Sequence, residues 1–252
     1  MKNEFDRALT FAESKLGPTD CVILGCDFDS QGNVRLYSNR PLKGYTKTNG
    51  IYENVVPLAE LTSRQRSALQ RYLITGPSLR QTNLQESDSV YTRDLETDLF
   101  KVNNHPEYVF LPTKDITREL ISDDLSYPAI AERIGTNPSD SILVHELAHR
   151  IPNGTKRRLA KRFGLGDERK FSTAVQEEFF AKYTEMLYIQ ETYPDLVGLR
   201  LGQFRDEIAK QKARPMVDDP RGRDPHPPAS KLYFAVLKND GLKEFVESLY
   251  TK

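Results

Sequence analysis

The N-terminal half of the chain alternates apolar and polar residues in the manner of a β-sheet. Alternating apolar runs at residues 21–28 and 34–38 flank a Gly-containing segment, which is typical of a β-hairpin with a longer loop. Residues 108–111 predict another short strand, and Pro112 suits a strand end or an edge of a sheet. An extended peptide would be able to pair with such an edge. We therefore expect a small sheet, with residues 108–111 as a candidate substrate template.

Most other apolar residues recur at helical spacing. Residues 1–17 and 58–74 predict amphipathic helices, and Thr62 or Ser63 is a candidate N-cap of the second one. Residues 77–105 are polar and are expected to be irregular. Further helices are predicted at about residues 127–134, 139–151, 156–163, 172–191, 196–213 and 230–250, with one long loop at 218–228.

This order of elements predicts an α+β protein. The sheet belongs to an N-terminal α/β lobe of about residues 1–138, and about residues 139–252 form a mostly helical lobe that begins with the helix at 139–151. A chain of 252 residues is long enough to bury a sizeable core. We expect the two lobes to form a single domain of residues 1–252.

Composition narrows the choice of partners and compartment. Lys plus Arg and Asp plus Glu both number 36, so charge does not indicate binding to nucleic acid or to an anionic membrane. No run approaches the roughly 18 apolar residues of a membrane span, and the first 17 residues lack the apolar core of a signal peptide. We expect a soluble monomer, either cytoplasmic or exported or injected without a classical leader. Cys21 and Cys26 offer no disulfide framework and predict buried, reduced thiols.

One motif carries recognisable chemistry. The sequence His-Glu-Leu-Ala-His occupies residues 145–149, inside the predicted helix. Residues four apart lie on one helical face, so His145 and His149 can reach one metal ion. In this arrangement neutral imidazoles bind zinc and the intervening glutamate, here Glu146, acts as general base toward a water molecule. The motif predicts a catalytic zinc site that lacks only its third protein ligand.

Several acidic residues compete for the third ligand. Pro152 and Thr155 stand where a metzincin needs Gly and His, so that class is excluded. A glutamate from a second helix is the usual alternative. We favour Glu178, which opens a strongly apolar helix able to pack against the first. The other candidates stay open: they are Asp167, Glu168 and Glu177.

Residues 139–190 resemble a known family. The segment Val-His-Glu-Leu-Ala-His-Arg, followed by the run Glu178-Phe-Phe-Ala-Lys-Tyr-Thr-Glu185, is similar to the gluzincin metallopeptidases, both the aminopeptidases and the group of lethal factor and the Pro-Pro endopeptidases. The resemblance implies a zincin-like fold, Zn²⁺ held by His145, His149 and Glu178, and Glu185 as a residue that orients a histidine.

The oxyanion of a tetrahedral intermediate also needs a donor. Gluzincins commonly take it from a residue well downstream of the glutamate ligand, and Tyr233 and His226 lie in that region. Both are candidate catalytic residues beside Glu146.

These features predict a zinc-dependent endopeptidase that hydrolyses a peptide bond in a protein or peptide substrate, such as a host protein. A bacterial toxin or effector protease with a role in virulence is the favoured reading, on the strength of the resemblance. Two alternatives stay open. One is an intracellular regulatory peptidase that clears a repressor, and the other is a non-catalytic binding protein that only holds a metal.

Overall fold

A computed structural model describes residues 2–16, 21–81, 107–150, 173–213 and 225–237. It is an α+β structure, as predicted. The chain divides into two compact units, one of Met1–Asp6 with Thr19–Leu143 and one of Arg7–Pro18 with Val144–Lys252. That the two units form one domain stays a prediction.

The first unit contains a six-stranded sheet in the order β3-β4-β2-β1-β6-β5. The predicted hairpin is present as an antiparallel pair with Leu24 opposite Ser38, and β6 pairs with β1 in parallel. Strands β3, β4 and β5 were not predicted, and β5 lies in the polar stretch that was expected to be irregular. The strands are β1 (Val22–Phe28), β2 (Val34–Ser38), β3 (Thr46–Thr48), β4 (Ile51–Val56), β5 (Ser78–Gln81) and β6 (Glu107–Pro112).

The strand predicted at residues 108–111 exists, but it is not an edge. It forms most of β6, which pairs with β1 on one side and with β5 on the other. Pro112 closes the strand, so its missing N–H is tolerated at a strand end. The hypothesis that an extended substrate pairs with β6 is therefore wrong, because both sides of the strand are already hydrogen-bonded.

The described part of the first unit also contains helical segments around a core that lies against the sheet. Thr62 caps α2 in a capping box with Gln65, and Gly76 ends it with a positive φ of 69°, which glycine adopts without steric cost. The segments are a 3₁₀ turn (Leu58–Glu60), α2 (Ser63–Thr75), α3 (Lys114–Ile121) and α4 (Tyr127–Thr136). The largest core residues are Leu24, Leu36, Leu69, Tyr72, Tyr108 and Phe110.

The second unit is helical wherever it is described. The predicted loop at 218–228 ends earlier than expected, because Pro227 and Pro228 fit the first turn of a helix that begins at His226. The helix predicted at 156–163 and residues 238–250 lie outside the described residues. The helices are α1 (Lys2–Leu16, which enters this unit at Arg7), α5 (Ser139–Ala148, which enters it at Val144), α6 (Thr173–Thr192), a 3₁₀ turn (Pro194–Leu196), α7 (Val197–Ala213) and α8 (His226–Leu237).

Helix α6 is buried on nearly all sides. Its aromatic residues pack against α7 and α8, with the rings of Tyr183 and Tyr233 at 6.0 Å, and Phe11 of α1 contacts Tyr188 at 5.1 Å. Such an environment penalises any charged side chain that lacks a partner. Three charged residues nevertheless lie on α6 at 5% exposure or less: they are Glu178, Lys182 and Glu185.

Two smaller expectations concern the cysteines and membrane spans. Cys21 and Cys26 are both buried, as predicted, and among the described residues neither forms a disulfide; burial together with the nearby charge of Asp27 raises the pKa of the Cys26 thiol. Among the described helices, none has the length and apolar character needed to cross a bilayer.

A close contact across the hairpin gives the first prediction. Gly25 lies opposite Tyr37, and a Cβ on Gly25 would fall 1.9 Å from the tyrosine ring. We expect Gly25→Ala to lower the free energy of unfolding by about 1–3 kcal/mol or more, as overpacking does. Urea titration of both proteins measures this difference.

Gly202→Ala is the matched control. Gly202 lies inside α7 and a Cβ there would meet nothing within 4 Å, so this change should stabilise the protein by roughly 0.5–1 kcal/mol. A Gly25→Ala protein as stable as the wild type would show that the ring of Tyr37 does not occupy this space.

Candidate metal centre

The structure brings the three favoured ligands together. His145 lies near the end of α5, and His149 follows in a turn whose backbone N–H bonds to the carbonyl oxygen of Glu146 at 3.3 Å. The helix predicted to reach residue 151 thus ends at Ala148, as the nearby Pro152 favours. Glu178 approaches from α6. One ligand atom from each of His145, His149 and Glu178 lies within 4.8 Å of the other two, a group that could hold a metal ion.

The distances suit one small cation. His145 Nε2 is 3.6 Å from Glu178 Oε1, and His149 Nε2 is 3.7 Å from Glu178 Oε2. Two ligand atoms bound to one tetrahedral zinc at 2.0–2.1 Å are roughly 3.3 Å apart. Each histidine is therefore within a few tenths of an ångström of that separation from one oxygen of Glu178, Oε1 for His145 and Oε2 for His149.

His145 presents an unused nitrogen to this space. Its Nδ1 donates a hydrogen bond to Glu185 Oε2 at 2.9 Å, and its buried Nε2 has no hydrogen-bond partner in the described part of the chain. A buried polar atom without a partner is costly, and a metal ion would satisfy it. The contact with Glu185 is the orienting role that the resemblance implied.

Charge keeps this arrangement together when no metal is bound. Burial alone would lower the pKa of His145, but the carboxylates of Glu178 and Glu185 outweigh it and raise that pKa to about 9. A metal binds only to a nitrogen that carries no proton, so metal binding at Nε2 is coupled to loss of any proton held there. His149 differs, since burial and the neighbouring His145 lower its pKa.

Glu178 is held as a carboxylate. Burial would raise its pKa, but His145, His226 and Lys182 keep the pKa well below the usual range. His226 Nδ1 lies 2.7 Å from Glu178 Oε1, and Lys182 Nζ lies 3.4 Å from the same oxygen. Glu178 Oε2 is the oxygen nearest to His149. The carboxylate thus receives its protein contacts mainly on one oxygen.

Glu185 is supported in turn by α7. Arg200 Nη2 donates to Glu185 Oε2 at 2.8 Å, and Arg200 Nη1 donates to Gln203 at 2.8 Å. Burial would raise the pKa of Glu185, but Arg200 and His145 lower it to about 2. The chain Arg200–Glu185–His145 therefore fixes the ring orientation of His145 from a helix that holds none of the three candidate ligands.

The remaining predicted residues occupy different environments. Glu146 is 4% exposed on α5, and its charge raises the pKa of His149 against the stronger effects that lower it. The side chain of His226 is 43% exposed and contacts Glu178. Tyr233 is 2% exposed, and its ring packs 5.2 Å from that of Phe204. These contacts give Tyr233 a packing role, and its catalytic role stays a prediction.

The structure also bears on the competing third ligands. Glu177 is only half buried, and among the described residues the group able to hold a metal includes Glu178 and not Glu177. Asp167 and Glu168 lie outside the described residues.

Four residues near the site were not anticipated. They belong to the ion pairs and hydrogen bonds that surround Glu178 and Glu185, and each is buried or half-buried: they are Lys182, Arg200, Glu207 and Ser230. The sequence did indicate that such partners exist, because charged residues on one face of an otherwise apolar helix require them. The partners themselves lie on other helices, so sequence spacing did not identify them.

Comparisons of the chain with models of known protein families, with curated proteins and with solved structures found no match. The contacts above are therefore the basis on which a function is proposed.

Removing Arg200 tests the support of Glu185. We expect Arg200→Met to lower the free energy of unfolding by about 3–5 kcal/mol, because it leaves Glu185 as an uncompensated buried charge. Arg205→Met, at an exposed position of the same helix, should cost less than about 1 kcal/mol. Chemical denaturation of the metal-free proteins measures both.

The double variant Arg200→Met with Glu185→Gln removes both charges and keeps a side-chain oxygen for Nδ1 of His145. It should recover much of the lost stability, since no uncompensated buried carboxylate is left. Equal stabilities of Arg200→Met and Arg205→Met would contradict the claim that Arg200 compensates the buried charge of Glu185.

Proposed function

We propose that this protein is a zinc-dependent metallopeptidase with a zincin-like active site. The observation that carries the proposal is the convergence of His145, His149 and Glu178, with one ligand atom of each within 4.8 Å of the others, beside the buried Glu146. Two imidazoles and a carboxylate form the three-ligand set of catalytic zinc sites, which keep one position open for water or substrate. None of the three candidate ligands is a cysteine, which also suits a catalytic zinc site.

The chemistry divides between the metal and the side chains. A zinc ion bound by the three residues would supply a Lewis acid that polarises a carbonyl group and lowers the pKa of a water molecule. Glu146 then accepts a proton from the attacking water and passes it to the leaving amine. Glu185 holds the proton on Nδ1 of His145, which keeps Nε2 of that ring available as a ligand.

His226 is the stronger candidate for stabilising the oxyanion. Its side chain is half exposed beside Glu178, whereas Tyr233 is enclosed among aromatic rings. A histidine at this position can donate to a developing negative oxygen when its ring carries both protons. In this proposal Tyr233 supports the helices, and His226 contacts the substrate.

The substrate and biological role belong to the same proposal. The resemblance over residues 139–190 favours an endopeptidase of the toxin or effector type acting on a specific protein. Cleavage of the cell's own repressor is the alternative within enzymes. Because both use the same site, identifying the cleaved protein distinguishes them.

Metal content gives the next prediction. Purified protein should bind close to one zinc per chain, and Glu178→Ala should lose it, because a three-ligand site would be reduced to two ligands. Glu177→Ala, the neighbouring and half-buried glutamate, should retain zinc. Elemental analysis after dialysis measures all three. Equal zinc contents in the two variants would contradict the assignment of Glu178.

Loss of Glu146 tests catalysis separately from metal binding. Glu146→Gln should keep its zinc but cleave peptides about 10²–10⁴-fold more slowly, the usual contribution of a positioned general base. Incubation with a peptide library and mass spectrometry of the products measures this change. Cleavage that is unaffected by Glu146→Gln would contradict the proposal that the protein is a peptidase. A zinc-loaded wild type without cleavage of any library peptide would favour the non-catalytic alternative.

A further inference from the structure

Lys182 lies one helical turn beyond the candidate metal ligand Glu178 and is 1% exposed. Its Nζ donates to both oxygens of Glu207, at 2.9 Å and 3.2 Å, and lies 3.4 Å from Glu178 Oε1. The ammonium group thus stands between two carboxylates and bonds more closely to the one on α7. This preference of Lys182 for Glu207 matters, because only Glu178 is a candidate metal ligand.

Without Glu207, the buried ammonium of Lys182 would turn to Glu178 as its partner. Desolvated cations need a hydrogen-bonded counter-charge, and Glu178 is already within ion-pair distance. An ammonium bonded directly to Glu178 would engage oxygen lone pairs that a metal ion also requires. Lys182 is therefore a potential competitor of the metal for the same carboxylate.

Glu207 is itself held in place from two sides. Ser230 of α8 donates from Oγ to Glu207 Oε2 at 2.5 Å, which fixes the carboxylate against Lys182. The ring of Phe204, one turn before Glu207 on α7, lies 4.5 Å from Lys182 Nζ and favours the cation at that position. Three helices thus fix the ammonium near Glu207.

We propose that Glu207 is a positioning residue: it accepts the hydrogen bonds of the Lys182 ammonium, which stays at an ion-pair distance of 3.4 Å from Glu178 Oε1, and so limits the competition of Lys182 with the metal for that carboxylate. The inference rests on the metal site of the proposed function. It does not depend on peptide hydrolysis. Because Lys182 and Glu207 carry opposite charges, their pair adds no net charge near the metal, and its effect is one of placement.

The experiment measures the zinc affinity of the full chain by competition with a chromophoric chelator. Glu207→Gln should weaken zinc binding about 10–100-fold, the usual effect of changing a residue that supports a ligand. Adding Lys182→Met to Glu207→Gln should return the affinity to near the wild-type value, because the competitor is gone. Asp206→Asn removes the same charge from the exposed neighbouring position and should leave zinc affinity unchanged.

The double variant separates this account from a loss of structure. Two results would overturn the inference while leaving the metal site intact: wild-type affinity in Glu207→Gln, or a double variant that binds as weakly as Glu207→Gln alone. A wild-type protein that binds no zinc would overturn both this inference and the proposed function.

Ser230→Ala gives a second route if Glu207→Gln does not fold. It loosens the Glu207 carboxylate without changing any charge, so a smaller loss of zinc affinity is expected, again reversed by Lys182→Met. Zinc affinity unchanged in Ser230→Ala, when Glu207→Gln cannot be measured, would overturn the inference. Thermal denaturation of the metal-free proteins establishes which variants are folded.

Discussion

The second unit depends on the pairing of three charges on one buried helix. Glu178, Lys182 and Glu185 lie four and three residues apart on α6, so they share a helical face inside an aromatic core. Each buried charge costs several kcal/mol unless a partner compensates for it. The partners are supplied by α5, α7 and α8, and the requirement that all of them meet on one face fixes how these helices are arranged.

The same pairing positions the side chains of the candidate site. Arg200, Phe204 and Glu207 lie on one face of α7 at the matching spacing of four and three residues. Arg200 bonds to Glu185, and Glu207 bonds to Lys182. Glu185 orients His145, and Lys182 adjoins Glu178. The ligands His145 of α5 and Glu178 of α6 are therefore both positioned through residues of a third helix, α7. A metal ion would then bind to side chains whose orientations are set in advance.

Sequence reasoning succeeded where local rules decide the outcome. The hairpin of β1 and β2, the cap at Thr62 and the helices around the metal centre follow from periodicity and from residue-specific conformational preferences, which act over a few residues. It failed for β5, because a polar edge strand has no apolar period, and for the interior position of β6, because strand order is set by contacts distant in sequence.

The candidate site shows the same division. His145, Glu146 and His149 were recognisable because a single helix holds them at a spacing that metal chemistry demands. Glu178 was favoured among several acidic residues because it opens an apolar helix, whereas the role of Glu185 required the family resemblance; the structure brings both to His145. Lys182, Arg200 and Glu207 could not be assigned roles, since the meaning of each charge depends on a partner 15 to 25 residues away. Buried charges on an apolar helix are the useful warning of such a network.

The central claim is that two histidines and one glutamate hold one zinc ion at an open catalytic site. X-ray absorption spectroscopy of the zinc-loaded protein tests it most directly, because the technique counts imidazole ligands and recognises sulfur. The account predicts two imidazoles per zinc, with the other ligands being oxygen. A third imidazole would mean that another histidine closes the site, and sulfur in the shell would place the metal elsewhere; either result would contradict the account.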